Sequence, residues 1–437
     1  MPMLRDGKLG LALLAGRGFM WLHARRGDPL AQVATLPAER DPYPFYERLR
    51  ARGDLVRSRL GMHVTTSHRL CDALLRDQRF GVLPGSAHSL VDLGLSSTGP
   101  DTPVNPIDDS FLSLNPPEHT RLRRLVAPWF TPRALRERTP SINAVVKEFL
   151  DEVAERDGFD LVTDFAVRVP IRVIAELLGV PEREHARFAR WGATLAGSLD
   201  GARDLAQLRE TRRVLGELNA FFTDLVAHRR KHPGQDVVSE LVNAHDGDVP
   251  LARKDLFATT QLLLVAGFET TVNLIGNGAL ALLADADARR RLVEDPSTAE
   301  DVVEEVLRYD TPVQYTARFA LETVELDDVV LRKDDGVLLL LAAANHDPSV
   351  FAEPNRFDPT RANNREHLAF SAGIHYCLGA GLARIEAAAA LGGLFRRFPG
   401  LSVAGPVRRR PSRVIRGAIS LPVSTGVERG SLAAKAG

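Results

Sequence analysis

Residues 370–379 read Phe-Ser-Ala-Gly-Ile-His-Tyr-Cys-Leu-Gly, and from there the chain runs into a helical pattern that ends at Arg397, before Pro399-Gly400. A glycine-bearing loop therefore turns into a helix at Cys377. A thiolate in that place faces the first unpaired N–H groups and the positive end of the helix dipole, both of which lower its pKa. Gly373 and Gly379 remove side chains, so the backbone can lie close to a flat partner, and His375 can reach an anionic edge of it. Such a set suits the axial ligand of a metal. A lone cysteine is more often a small buried hydrophobe. The fixed residue types at fixed spacing carry the argument instead, since at average residue usage they recur by chance in roughly one chain in 10⁴ or fewer.

Working outward, the 253–284 stretch is a long apolar helical pattern interrupted by Ala266-Gly267-Phe268-Glu269-Thr270-Thr271. A helix that is apolar all round is buried, so an acid and two hydroxyls in its middle cost stability unless something uses them. Back-bonding of a threonine hydroxyl to the preceding turn explains one of them equally well. Glu305 and Arg308 lie three apart on a 297–309 helix and share a face, a spacing that most often marks a surface ion pair. Near residue 115, Asn115 is placed to cap a helix with Pro116 in its first position and Glu118 completing a capping box. His119 and Arg123 then share one face.

Together these segments resemble the cytochrome P-450 family, of the bacterial, soluble, ferredoxin-dependent type. Its haem loop reads Phe-x-x-Gly-x-His/Arg-x-Cys-x-Gly, and every fixed position matches; many members carry glycine where Ser371 stands. The resemblance implies a mainly α fold with a small β subdomain, in which haem lies between a long distal helix and a proximal cysteine-loop helix. It implies Cys377 as the proximal thiolate on the iron of haem b, with Ala266, Phe370, Gly373 and Gly379 against the group. Thiolate ligation pushes electron density toward iron and favours O–O cleavage. By the same resemblance His119, Arg123, Arg318 and His375 meet the propionates, and Glu269 and Thr270 handle dioxygen and protons. Glu305, Arg308 and Arg356 are the expected structural triad, and Leu262, Val265, Ala266, Val313 and Ile419 the expected substrate pocket. The implied reaction is monooxygenation of a largely hydrophobic substrate, with O2 as co-substrate. No flavin or ferredoxin module fits beside the haem domain, so electrons from NAD(P)H must arrive through an external ferredoxin and its reductase. Arg121, Arg124, Arg384, Arg396 and Arg397 form a candidate docking patch for that partner.

Composition sets the outer bounds. The 437 residues carry 56 Lys+Arg against 56 Asp+Glu, which gives no support to a whole-chain binder of nucleic acid or of an anionic membrane. The two cysteines, Cys71 and Cys377, exclude a disulfide scaffold and any zinc site needing three thiolates, and a reducing cytoplasm is the expected home. Leu9 to Ala15 is apolar but is followed by Arg17, so a helix packed on the protein surface is expected, with peripheral membrane contact or a processed leader as alternatives.

Residues 1–40 read as an N-terminal extension, 41–427 as one domain and 428–437 as a tail. Helical patterns fall at 45–51, 115–127, 139–156, 163–178, 182–196, 202–231, 235–244, 253–284 and 297–309, and strand-like pieces at 55–66, 316–326, 329–332, 337–342 and 418–423. The irregular 80–115 stretch and the 180–210 region read as a lid. Two other functions stay open on the residues alone: the same fold acting as a peroxygenase or cross-linking catalyst, and a haem-binding carrier or sensor without turnover. A cysteine nucleophile with His375 as base is disfavoured, because residues two apart at a helix start point different ways.

Overall fold

The computed structural model describes residues 2–83, 103–246 and 249–426. The 428–437 tail and the 84–102 part of the expected lid lie outside the described residues. The main helices are α1 (Pro2–Arg25), α2 (Glu118–Val126), α3 (Pro132–Val153), α4 (Arg168–Leu178), α5 (His185–Gly197), α6 (Leu205–Lys231), α7 (Arg253–Ala284), α8 (Ala299–Tyr309) and α9 (Ala380–Arg397). The central one is α7. Its residues are buried on every side for most of its length, as an all-apolar helix requires, and α4, α5, α8 and α9 pack around it. Close approach is built into these contacts: a Cβ on Gly192 of α5 would lie 2.1 Å from the Phe268 ring, and one on Gly278 would lie 2.6 Å from Leu391 of α9.

A five-stranded sheet stands beside the helices. In chain order its strands are β1 (Leu55–Arg57), β2 (Met62–Thr65), β3 (Phe80–Gly81), β4 (Thr316–Ala320) and β5 (Gly336–Leu339). They lie in the spatial order β1-β2-β5-β4-β3, with β5 parallel to β2 and antiparallel to β4. The register Arg318↔Val337 turns Arg318 to the buried face, toward the helices. A separate short strand, β6 (Ala418–Ser420), pairs with Arg408–Arg409 to close a hairpin that rests on α7. Gly417 is required there, because a Cβ would stand 2.0 Å from Asn273 Oδ1.

Several expectations change. The extension is not set apart at residue 40: Leu30 and Val33 pack with Phe45, Tyr46, Leu49 and Val64, and Asp28 accepts hydrogen bonds from Ser58 Oγ and Arg59 N. Helix α3 begins at Pro132 rather than 139, capped by Thr131, and carries Pro140 in its interior. Asn115 does not cap α2. Its amide is spent on the Val82 backbone, accepting from N at 2.9 Å and donating to O at 2.7 Å, and α2 starts after Pro117 without a side-chain cap.

Candidate active site

Between the middle of α7 and the 370–379 loop lies a cavity of about 310 Å³. Its floor is Phe370, His375, Cys377, Leu378 and Gly379, its roof Leu262, Val265, Ala266, Glu269 and Thr270, and its wall includes Val313, Arg318, Val414 and Ile415. Ala266 is exposed although its neighbours along α7 are buried, because it faces this space. Ile419 is not on the wall. In β6 its neighbours Ala418 and Ser420 take the buried face, so alternation turns Ile419 outward, and Ile415, bridged to Val313, stands in the expected place.

Cys377 is fixed by its amide, which donates to Phe370 O at 2.9 Å, and α9 opens three residues later. Its sulfur presents surface to the cavity while protein encloses it otherwise. Burial pushes the thiol pKa up; the Gly379 amide, Arg123 and Arg384 oppose without overcoming it. The depressed pKa expected at a helix start is therefore outweighed by desolvation, and a cation at the sulfur is what would hold it as thiolate. Gly379 faces open space, as expected of a backbone cleared for a flat partner. Gly373 serves another need: at φ +67, with Leu75 O 2.1 Å from where a Cβ would stand, it seats the loop on the end of the His68–Arg76 helix. Ser371 holds φ +63, the left-handed region that favours glycine, and its buried Oγ finds no partner.

At the cavity rim stands a group of basic side chains without acids. His119 lies 4.4 Å from His375, ring centre to ring centre. Both nitrogens of His119 and Nε2 of His375 are buried without a hydrogen bond. Burial, reinforced by the neighbouring arginines, pushes His119 down to about 4 and His375 to about 3. Arg318 is pushed down to about 10 by burial alone, and it donates to Thr316 Oγ1 and Ala317 O. Arg123 donates to Tyr376 O at 2.6 Å. Among the described residues, no carboxylate pairs with Arg123 or Arg318.

In the roof, Thr270 Oγ1 donates back to Ala266 O at 3.1 Å and Thr271 Oγ1 to Gly267 O at 3.3 Å. Burial raises the Glu269 pKa, opposed by Arg410, whose Nη2 lies 2.6 Å from Oε2. The pair is close yet out of line, so Glu269 Oε2 accepts no aligned hydrogen bond. Sequence reasoning missed Arg410, because Arg408-Arg409-Arg410 reads as a solvated charge run. The same hairpin reaches further: Arg413 N donates to Asp200 Oδ1, after α5, at 2.8 Å, and Arg413 Nε donates to Leu36 O at 2.8 Å.

Beneath the loop the expected triad is corrected. Glu305 and Arg308 are fully buried and paired at 2.7 Å, but the second arginine on Glu305 is Arg361, with Nε at 3.2 Å. Arg356 turns its carbonyl inward, accepting from Arg308 and Arg361 at 3.0 Å each, which sends its side chain out to 64% exposure beside Glu353. The residues that fill Arg308 are the loop's own carbonyls, Asn345 O, Pro354 O and Arg356 O, so all five of its N–H groups are used. A neighbouring cluster joins Glu304 to His367 at 3.0 Å and to Arg384. Because His367 Nδ1 accepts from Ala369 N, its Nε2 donates to Glu304. Burial would raise the Glu304 pKa, but His367 and Arg384 outweigh it and hold the acid down at about 2. Arg384, expected at a docking patch, belongs instead to this cluster, with its guanidinium 4.6 Å from the Phe370 ring centre.

Residues 207–405 match the sequence profile of the family Cytochrome P450. The chain is 39% identical over 420 residues to cytochrome P450 140 of Mycobacterium tuberculosis, covering 94% of this chain and 96% of that protein. It belongs to the cytochrome P450 family. This P450 is also 41% identical over 313 residues to the 6-deoxyerythronolide B hydroxylase of Saccharopolyspora erythraea, covering 71% of this chain and 76% of that enzyme. It superimposes with a TM-score of 0.81, at 37% identity, on the crystal structure of P450BioI in complex with hexadec-9Z-enoic acid ligated acyl carrier protein, covering 88% of this chain and 97% of that one. It is a P450 monooxygenase with the P450 fold, and the family works with haem and O2. The residues present fit haem. A flat group bringing a metal for Cys377 and two carboxylates would satisfy His119, Arg123, Arg318 and His375, which have no acid of their own.

Proposed function

We propose that this P450 inserts one oxygen atom of O2 into a largely hydrophobic small molecule in the cytoplasm, with electrons from NAD(P)H delivered through a separate ferredoxin and reductase. The observation that carries it is the acid-free basic rim beside the cavity-facing sulfur of Cys377. In this reading Cys377 would hold the iron of haem b through its sulfur, His119, Arg123, Arg318 and His375 would hold the propionates, and Phe370, Gly379 and Ala266 would lie against the group. Bound haem would supply reductive activation of O2.

The chain's own residues do the rest. Leu262, Val265, Val313, Val414 and Ile415 offer an apolar surface that binds and orients a substrate while excluding water. Glu269, whose pKa burial raises against the opposing Arg410, is the acid that passes protons toward the cavity, and Thr270 Oγ1 is the next hydroxyl along the roof. Of the proposed partner surface, Arg124, Arg396 and Arg397 are exposed and Arg384 is withdrawn from it.

The test is a spectral titration of the haem-loaded protein with fatty acids, terpenoids, steroids and macrolides, followed by product analysis with NAD(P)H, ferredoxin and reductase. We expect a spin-state change and an oxygenated product with at least one apolar class, and a reduction rate that falls with rising salt. Turnover supported by peroxide alone, with none from NAD(P)H and redox proteins, would favour the peroxygenase alternative. A Cys377→Ala protein that kept the reduced carbon-monoxide band from which the family takes its number would overturn the ligand assignment.

A further inference from the structure

Helix α1 is apolar on two faces, and the protein covers one of them. Leu9 and Leu13 pack on Ala202, Leu205 and Leu208 at the start of α6, and Arg17 reaches Arg203 O at 3.4 Å. On the other face Leu11 is 70% exposed, Leu14 65%, Phe19 and Trp21 52% each and Leu22 42%. Among the described residues, these are five of the eleven large hydrophobic side chains left exposed. Large apolar side chains gathered on an exposed helix face mark an interaction surface, so the outer face calls for a cover of its own.

Charge says which cover. Residues 1–27 carry Arg5, Lys8, Arg17, Arg25 and Arg26 against Asp6 alone, in a chain whose total charge is zero. From Leu9 to Gly27 there is no acid at all. Two copies of α1 set face to face would bring these cations together with nothing between them, whereas an anionic surface neutralises them. Trp21, with the Arg25 guanidinium 4.2 Å from its ring centre, has the mixed apolar and polar character that sits at a lipid–water boundary. No described helix is long and apolar enough to cross a membrane, so α1 can lie on one but not span it.

We propose that α1 seats this protein on an anionic lipid bilayer, lying in the headgroup plane with Leu11, Leu14, Phe19, Trp21 and Leu22 toward the acyl chains. Arg25 at the end of α1 and Arg26 just after it are exposed and reach the phosphates, and Arg17 adds attraction at longer range. The α5–α6 loop, whose Leu199 lines the cavity, lies under the covered face of α1. None of this depends on which reaction the cavity performs.

The experiment is co-sedimentation of the full-length, haem-loaded protein with vesicles of phosphatidylcholine alone or with about one-third phosphatidylglycerol. We expect binding to the anionic vesicles only, weakening with salt, and a blue shift of tryptophan emission that Trp21→Phe removes. Leu14→Glu combined with Trp21→Glu should cut the bound fraction about tenfold, with haem content and melting temperature unchanged. Arg17→Gln with Arg25→Gln should weaken binding and flatten its salt dependence. Protein that stays in the supernatant with anionic vesicles, or double-Glu protein that binds as well as wild type, would overturn the proposal. So would a wild-type dimer that the double-Glu change makes monomeric, since the cover would then be a second copy of this chain.

Discussion

Beneath the cysteine loop every buried charge considered is paired with an opposite one; at the cavity rim, among the described residues, the basic groups have no acid. Glu305 is surrounded by Arg308, Arg361 and the Asp358 amide, and Glu304 by His367 and Arg384. At the rim His119 and Arg318 are buried and His375 Nε2 is enclosed, with no acid among them. Internally satisfied charge fixes the loop's shape, whereas internally unsatisfied charge is kept for a ligand, since an unmatched buried cation lowers the stability of the ligand-free chain.

The largest test of this contrast is on the satisfied side. Arg361→Ala leaves Glu305 without its second arginine and should cost about 3–5 kcal/mol in chemical denaturation. Arg356→Ala, on the exposed side of the same loop, should stay within about 0.5 kcal/mol. Equal effects would remove the reassignment of the triad.

A second test uses Glu386 of α9, which breaks the pattern: it is buried, its Oε2 has no partner, and burial pushes its pKa up to about 8. A raised carboxyl favours folding only while protonated, so its penalty starts above the unfolded value near 4.5 and grows until the pH passes 8. Glu386→Gln should therefore stabilise by about 3 kcal/mol at pH 7 and by almost nothing at pH 4.5. Glu304 has the opposite sign: its depressed pKa gives stability present in full above about 4.5 and lost as pH falls through about 2, so Glu304→Gln should do its damage at neutral pH. Melting curves across pH would expose either sign error.

On the unsatisfied side, Arg318→Leu should raise the melting temperature of the haem-free chain while weakening haem retention by about 1.5–3 kcal/mol, read by transfer of haem to an apo-acceptor. A loss of stability in both forms would make Arg318 structural. Smallest is Ser371→Gly, which relieves a left-handed backbone and should stabilise by about 1 kcal/mol.

Much of this contrast was legible in the chain. The cysteine loop and the 253–284 helix with its acid and hydroxyls follow from local chemistry and spacing, whereas the basic residues at the rim come from the family resemblance; the structure brings Arg123, Arg318 and His375 to one cavity, with His119 beside His375. What was hidden depended on direction rather than type. Arg356 and Arg361 lie in one irregular loop, and only the inward turn of the Arg356 carbonyl decides which side chain meets Glu305. Ile419 takes the outward position of β6, whereas Ile415, before the strand, bridges to Val313 at the cavity, and Asn115 serves Val82 rather than the helix it precedes. Ala286–Glu294 and His68–Arg76 were missed as helices because each is nine residues long, too short for a periodic pattern to stand out.

The hairpin that ends in β6 touches the acid through Arg410, the α5–α6 connection through Arg413, and the cavity through Val414 and Ile415. Reshaping the pocket at Val414 or Ile415 to admit a new molecule therefore disturbs the backbone that aims Arg410. Selection for wider scope at those two positions should show up as reducing equivalents diverted to peroxide, whereas changes at Leu262 or Val265 should widen scope without that leak.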